Sequence, residues 1–307
     1  MTPWDALRAL TDTLVARTDL SELEARRLTR DLERVALRLR NGDYEKSGFE
    51  DNVLNLPDRV QQTTVEVEFM AAVGRSWARL LGPLVASAQR AIDLGPGWAP
   101  KVELGLLYGG FTGHVVLVNQ DAAALTTLQR FMTAFPLAFT LDAVDADLFT
   151  WPGEPADLVL ANHLLDDVVL DLYCKREGVD AGTLYERESA FQAAWERILA
   201  WPASDTDTLV ARLADAVARL TRPGGHAVFA QYPSYAERTL SLDGAIAHGQ
   251  RVLRGLGAEL VARGFADVSA ERGVALASDP WPVAPEHCLV VRRLTAAARP
   301  GASSGAT

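Results

Sequence analysis

The chain is 307 residues long, 49% hydrophobic, and carries a formal charge of −10. That length supports one large domain, or one domain with a smaller cap. The charge argues against a nucleic-acid partner, which needs clustered Lys and Arg to replace counterions, and no uncharged apolar run of about eighteen residues offers a membrane span.

Arginine-rich stretches such as "ARRLTRDLERVALRLR" interleave acids at helical spacing, the pattern of a solvated helix face. The start, "MTPWDALRALTDTLVAR", has acids and helical periodicity where a signal peptide needs a basic and then an apolar run. Cys174 and Cys288 make no metal-ligand spacing and no disulfide framework, so a reducing, cytoplasmic setting with no metal is expected.

Residues 1–88 read as an N-terminal helical cap. Thr2-Pro3 is a cap followed by a first-turn proline, and Trp4, Leu7, Leu10 and Leu14 share one face. Ser21 with Glu24 fits a capping box. Leu28, Leu32, Val35 and Leu39 form a stripe that stops at Asn41-Gly42. A third helix is expected from Asp58 through Met70, and "YEKSGFEDN" (44–52) is expected as a lid strip.

From 89 to 295 the pattern changes. "AIDLG", "HVVLVN", "LAFTLDAVD" and "ADLVLAN" are buried-strand candidates, with helices near 100–108 and 121–134 between the first three. Such alternation predicts a parallel sheet covered on both faces. A helical insertion over about 168–204 carries Tyr173, Tyr185, Phe191, Trp195 and Trp201, enough aromatics to roof a pocket. "TLVARLADAVARL" is an amphipathic helix expected to end at Pro223-Gly224-Gly225, with "HAVFAQY" following as a strand. A helix near 243–263 and two last strands, "ADVSAERG" and "HCLVVRRL", complete the unit. Residues 296–307 have the small, polar composition of disorder.

The stretch "AIDLGPGWAPKVELGLL" (91–107) joins a strand to a helix through a glycine turn, a form suited to a nucleotide-like ligand. A dinucleotide fingerprint needs a third glycine for close helix–strand packing, and Pro100 stands at that position. Asp93, Gly95 and Gly97 instead resemble motif I of class I S-adenosylmethionine-dependent methyltransferases of the small-molecule type, with Ala99 replacing the motif's last glycine. Companion stretches fall in the family's order: "VVLVNQD", "DADLFTWPGEPADLVLANHLLDD" and "LTRPGGHAVFA". The resemblance covers about residues 88 to 232. It implies an α/β fold, a Rossmann-like doubly wound, mostly parallel seven-stranded sheet, with S-adenosylmethionine as cofactor.

By that resemblance Asp93 pairs with the methionine ammonium, and Gly95 and Gly97 let the backbone approach. An acid at the end of the second strand receives the ribose hydroxyls. This chain has Asn119 there and Asp121 two residues on, so ribose binding should weaken unless Asp121 swings in. Asp147 would accept from the adenine amino group with Leu148 and Phe149 beside the ring, and Asp145 is the nearby competitor. Asn162, expected to bind the cofactor, stands at the end of the fourth strand, with His163, Asp166 and Asp167 after it. His163 is the candidate base, with a pKa suited to neutral pH, and Asp166 either assists it or caps the next helix.

The expected reaction is methyl transfer to O or N of a small metabolite, in natural product biosynthesis. Non-methylating use of the same cofactor and a non-catalytic scaffold are the alternatives. The small-molecule acceptor is the expected partner, and a homodimer is left open.

Overall fold

The computed structural model describes residues 71–97, 99–132, 137–181, 184, 188–234, 237 and 240–295. The first helices, the 44–52 strip, Tyr185 and the 296–307 tail lie outside the described residues. The described chain opens in a helix, 71–81 (α1), then α2 (Leu84–Ser87), β1 (Arg90–Leu94), α3 (Lys101–Tyr108), β2 (His114–Asn119), α4 (Ala122–Met132) and β3 (Thr140–Asp145). It continues through β4 (Ala156–Asn162), α5 (Leu164–Glu177), α6 (Glu188–Leu199), α7 (Ala203–Leu220) and β5 (Thr221–Ala230). Last come α8 (Asp243–Ala262), β6 (Phe265–Asp267), α9 (Ser269–Ala277), a short 3₁₀ turn (Pro285–His287) and β7 (Cys288–Arg293).

The strands form one seven-stranded sheet in the order β3-β2-β1-β4-β5-β7-β6. Strands β1 to β5 pair in parallel, and β7 runs antiparallel to both β5 and β6. The apolar runs are continuous because successive residues feed opposite layers. Ala91, Val115, Leu117, Leu158, Leu160 and Val228 join the core beneath α1, α3 and α4. Ile92, Val116, Val118, Val159 and Phe229 join the core beneath α5 to α8.

Helix α1 packs into the first of these layers through Trp77, Leu80 and Leu81. It crosses α3 closely: a Cβ on Gly74 would stand 2.7 Å from Leu104 Cβ, and one on Gly105 would collide with Trp77. No helix among the described residues is long and apolar enough to cross a membrane.

Three local expectations are corrected. Helix α7 stops at Leu220, and Pro223-Gly224-Gly225 lies inside β5, not after the helix. Thr221 already pairs with Ala156, and the register then shifts before His226 meets Leu158. Gly224 at φ +83 and Gly225, whose Cβ would stand 2.9 Å from Asp157 O, make that bulge. Second, "ADVSAERG" is strand only at its start. Asp267 Oδ1 accepts the Ser269 N–H at 2.8 Å, which turns the chain into α9. Third, the insertion's aromatics pack inward. Tyr173, Phe191 and Trp195 are buried in the second core layer and Trp201 stacks on Tyr173 at 6.4 Å, because α5 and α6 need large apolar side chains to seal that layer.

Candidate functional site

The ends of β1, β2 and β3 and the start of α5 enclose a cleft of about 430 Å³ at the carboxyl edge of the parallel strands, where the connections of an open α/β sheet diverge. Its floor is the glycine turn. Gly95 has φ 65, and a Cβ there would collide with Leu164, so the position requires glycine. Its N–H donates to Val118 O at 2.8 Å, tying the turn to β2. A Cβ on Gly97 would meet nothing within 4 Å, so this residue borders open space.

Asn119, at the end of β2, fastens the same turn. Its amide N–H donates to Pro96 O at 2.7 Å, and its side-chain carbonyl accepts the Asp121 N–H at 3.0 Å. Asp121 Oδ1 in turn accepts the Ala124 N–H at 3.0 Å and caps α4. After β3, Asp147 Oδ1 accepts the Phe149 N–H at 2.8 Å, shaping a loop whose carbonyls at Leu148, Phe149 and Trp151 receive the Arg219 guanidinium. Arg212 lies 4.6 Å over the Phe149 ring. Helix α5 supplies the remaining wall through Leu164, Asp167, Val168 and Asp171.

Gly95, Gly97, Asn119, Asp121, Asp147 and Leu148 therefore meet in one cleft, while Asp145 is not among its lining residues. The ionisable side chains that line it, apart from the Cys174 thiol, are four carboxyls, Asp121, Asp147, Asp167 and Asp171. Among the described residues no Lys, Arg or His does so.

Four other candidates stand outside the lining. Asp93 is 2% exposed, and its neighbour is Glu103 of α3, 0% exposed. Burial and then Glu103 push Asp93 well above the carboxylate range, and burial lifts Glu103 to about 7. Asn162 accepts the Trp77 indole N–H at 2.9 Å and donates to the Tyr232 hydroxyl at 3.0 Å.

His163 and Asp166 belong to a second, buried polar cluster. His163 precedes α5 with φ 61, which turns its ring inward. Its Nε2–H donates to Tyr232 O at 2.7 Å and lies 3.5 Å from Glu237, while Nδ1 lies 3.6 Å from Asp166. Gln231 completes the cluster. Its amide donates to Asp166 Oδ2 at 2.6 Å, and its carbonyl accepts the Leu165 N–H at 3.3 Å. Burial pulls the imidazole down, but Glu237, Asp166 and Asp167 outweigh it and raise His163 to about 8. Burial also lifts Asp166, to about 8, against the pull of His163. Burial pushes Glu237 up, but His163 and Ser234 hold it below its usual value. One His and two carboxylates could ligate a metal. Here the ring's two nitrogens face different acids.

Sequence reading did not single out Asp171, Glu103, Gln231 or Glu237. Asp171 had a signal, the spacing of four from Asp167 that puts both on one helical face. Glu237 had none, since only the return of the chain after β5 brings it to His163.

No family model matches the chain, and no curated protein matches it. Solved structures do. The N-methyltransferase NodS from Bradyrhizobium japonicum WM9 is 14% identical, with 71% of this chain and 94% of that chain covered and a TM-score of 0.39. The S-adenosylmethionine-dependent methyltransferase SibL, in its apo form, is 14% identical over 88% of this chain and 75% of that chain, with a TM-score of 0.45. Human N-acetylserotonin methyltransferase, solved in complex with SAM, is 15% identical over 77% and 56%, with a TM-score of 0.39.

Proposed function

We propose that this chain is a class I methyltransferase that binds S-adenosylmethionine in the cleft and methylates an oxygen or nitrogen of a small metabolite in natural product biosynthesis. The observation that carries this reading is the lining of the cleft around a glycine turn: among the described residues four carboxyls line it and no Lys, Arg or His does, with Lys175 pairing Asp171 from outside that lining. A ligand with a sulfonium and an ammonium fits that field. A dinucleotide would bring a pyrophosphate dianion into it, and each like-charge contact at about 4 Å costs about 4 kcal/mol at an effective dielectric of ~20.

The turn also fits the cofactor. Gly97 leaves open space where a side chain would stand. Bound there, S-adenosylmethionine supplies an activated methyl group for in-line transfer. The chain's own contribution is to orient and enclose. Asp147 and its loop hold the adenine end, and Asn119 keeps the glycine turn in shape. Positioning of this kind is worth up to roughly 7–11 kcal/mol. His163, raised to about 8, is charged at neutral pH and already bonded to Tyr232 O. It holds a proton there and does not take one, so positioning carries the transfer.

The second reading is an enzyme of the same fold that uses the cofactor's charge without methyl transfer. The small-molecule acceptor is the one partner the reaction requires, and two buried thiols, Cys174 and Cys288, suit a cytoplasmic setting.

Titration calorimetry of the full chain with S-adenosylmethionine and with NAD tests the cofactor, and native mass spectrometry of the purified protein identifies a retained acceptor. Heat with S-adenosylmethionine alone is expected. Heat with NAD alone overturns the reading, and binding with no S-adenosylhomocysteine formed from S-adenosylmethionine when that acceptor is present counts against methyl transfer.

A further inference from the structure

We propose that Asp171 of α5, reached by Gln120 across the cleft, receives the ribose diol of the bound nucleoside, in place of the residue at the end of β2. The inference rests on the S-adenosylmethionine reading.

At the end of β2 both polar ends of Asn119 are committed, the amide to Pro96 O and the carbonyl to the Asp121 N–H. Turning either end of Asn119 to a diol would give up one of these bonds, leaving the Gly95 N–H to Val118 O as the remaining tie of the turn to β2. Asp121 is engaged as the cap of α4, and Asp147 shapes the loop after β3.

Asp171 is placed differently. It lines the cleft seven residues after Leu164, two helical turns along the same face. The exposed Gln120 amide, from the turn that follows β2, spans the cleft and donates to its Oδ1 at 3.3 Å. That long bond shows a donor from the β2 side reaching this carboxylate. Lys175 donates to Oδ2 at 2.6 Å. An ionised carboxylate has about four lone-pair sites, so two remain for hydroxyl donors after Gln120 and Lys175. Hydroxyl donation to an ionised acceptor is the stronger class of hydrogen bond. On ligand entry the diol takes the position of the Gln120 amide, which turns to a ribose oxygen.

The test is calorimetry of the full chain with S-adenosylhomocysteine and with its 2′-deoxy analogue. Wild type should prefer the ribo ligand by about tenfold, a lost charged hydrogen bond. Asp171→Asn should bring the two ligands within about twofold, by weakening the ribo ligand alone. Asp147→Ala should weaken both ligands in parallel and keep the preference. Circular dichroism confirms that each variant folds, and Gln120→Ala should lower the preference without removing it. A preference that survives Asp171→Asn overturns the proposal, as does a wild type that binds both ligands equally. Loss of the preference in Asp167→Asn with Asp171→Asn unaffected also overturns it, and moves the diol one turn back on α5. If wild type binds neither ligand, the S-adenosylmethionine reading itself falls.

Discussion

At the residue scale the two glycines of the turn separate folding from binding. Gly95 combines a positive φ with a wall at Leu164, so Gly95→Ala strains the backbone and crowds α5 together. Gly97 has neither constraint. Gly97→Val should therefore melt like wild type and lose S-adenosylmethionine binding, while Gly95→Ala should lose about 1–3 kcal/mol of stability. Thermal melts and calorimetry on both variants check this, and a Gly97→Val protein that binds normally would remove the ligand from the turn. His163 makes a second point. Its folded pKa of about 8 lies above the ordinary 6.5, so its ionic contribution to stability is complete below about 6.5 and lost as pH rises through about 8. The imidazole should titrate by NMR near 8. Glu237→Gln removes the largest raising cause and should bring that midpoint down, toward or below the ordinary value. An unmoved midpoint would show that Glu237 does not face the ring in solution.

At the element scale, β5 shows how a turn motif is absorbed into a sheet. "RPGG" has the composition of a loop, yet Arg222 pairs with Asp157, and Asp157 Oδ2 accepts the Gln89 and Arg90 N–H groups at 2.8 and 2.9 Å. That carboxylate, 5% exposed, joins the start of β1, β4 and β5 below the cleft. Gly225 lies against the carbonyls of Ala156, Asp157 and Arg222, with no room for a methyl. Gly225→Ala should destabilise by about 1–3 kcal/mol, read as a lower urea midpoint at unchanged m. An unchanged midpoint would mean that the bulge repacks. Helix α5 has the opposite character. One face is buried in the core through Leu165 and Val169, another lines the cleft, and its first turn is held by Gln231 from across the sheet. A single helix thus links the cleft to the His163 cluster.

At the scale of the whole molecule, ligand binding and stability are linked. A ligand at a hundred times its dissociation constant adds about 2.7 kcal/mol. For a domain of this size that corresponds to roughly 5–10 °C in Tm. S-adenosylmethionine should produce such a shift and NAD none, and a shift with NAD alone would reverse the charge argument.

What the sequence by itself determined is local and periodic. The runs "HVVLVN" and "ADLVLAN" became β2 and β4 residue for residue, because continuous burial on both faces leaves only one reading of such runs. Gly95, Asn119, Asp121 and Asp147 were singled out by the resemblance of their stretches to methyltransferase motifs, and they meet because parallel strands deliver their ends to one edge. Only the tertiary structure decided what those residues do there. That Asn119 is committed to Pro96, that Asp171 faces Gln120 across 51 residues of chain, and that His163 lies between Asp166 and Glu237 are facts of convergence. Periodicity reports which face a residue occupies. Hydrogen bonds and pKa values depend on which distant groups share that face, and the packing of helices and connections on the ordered sheet brings those groups together.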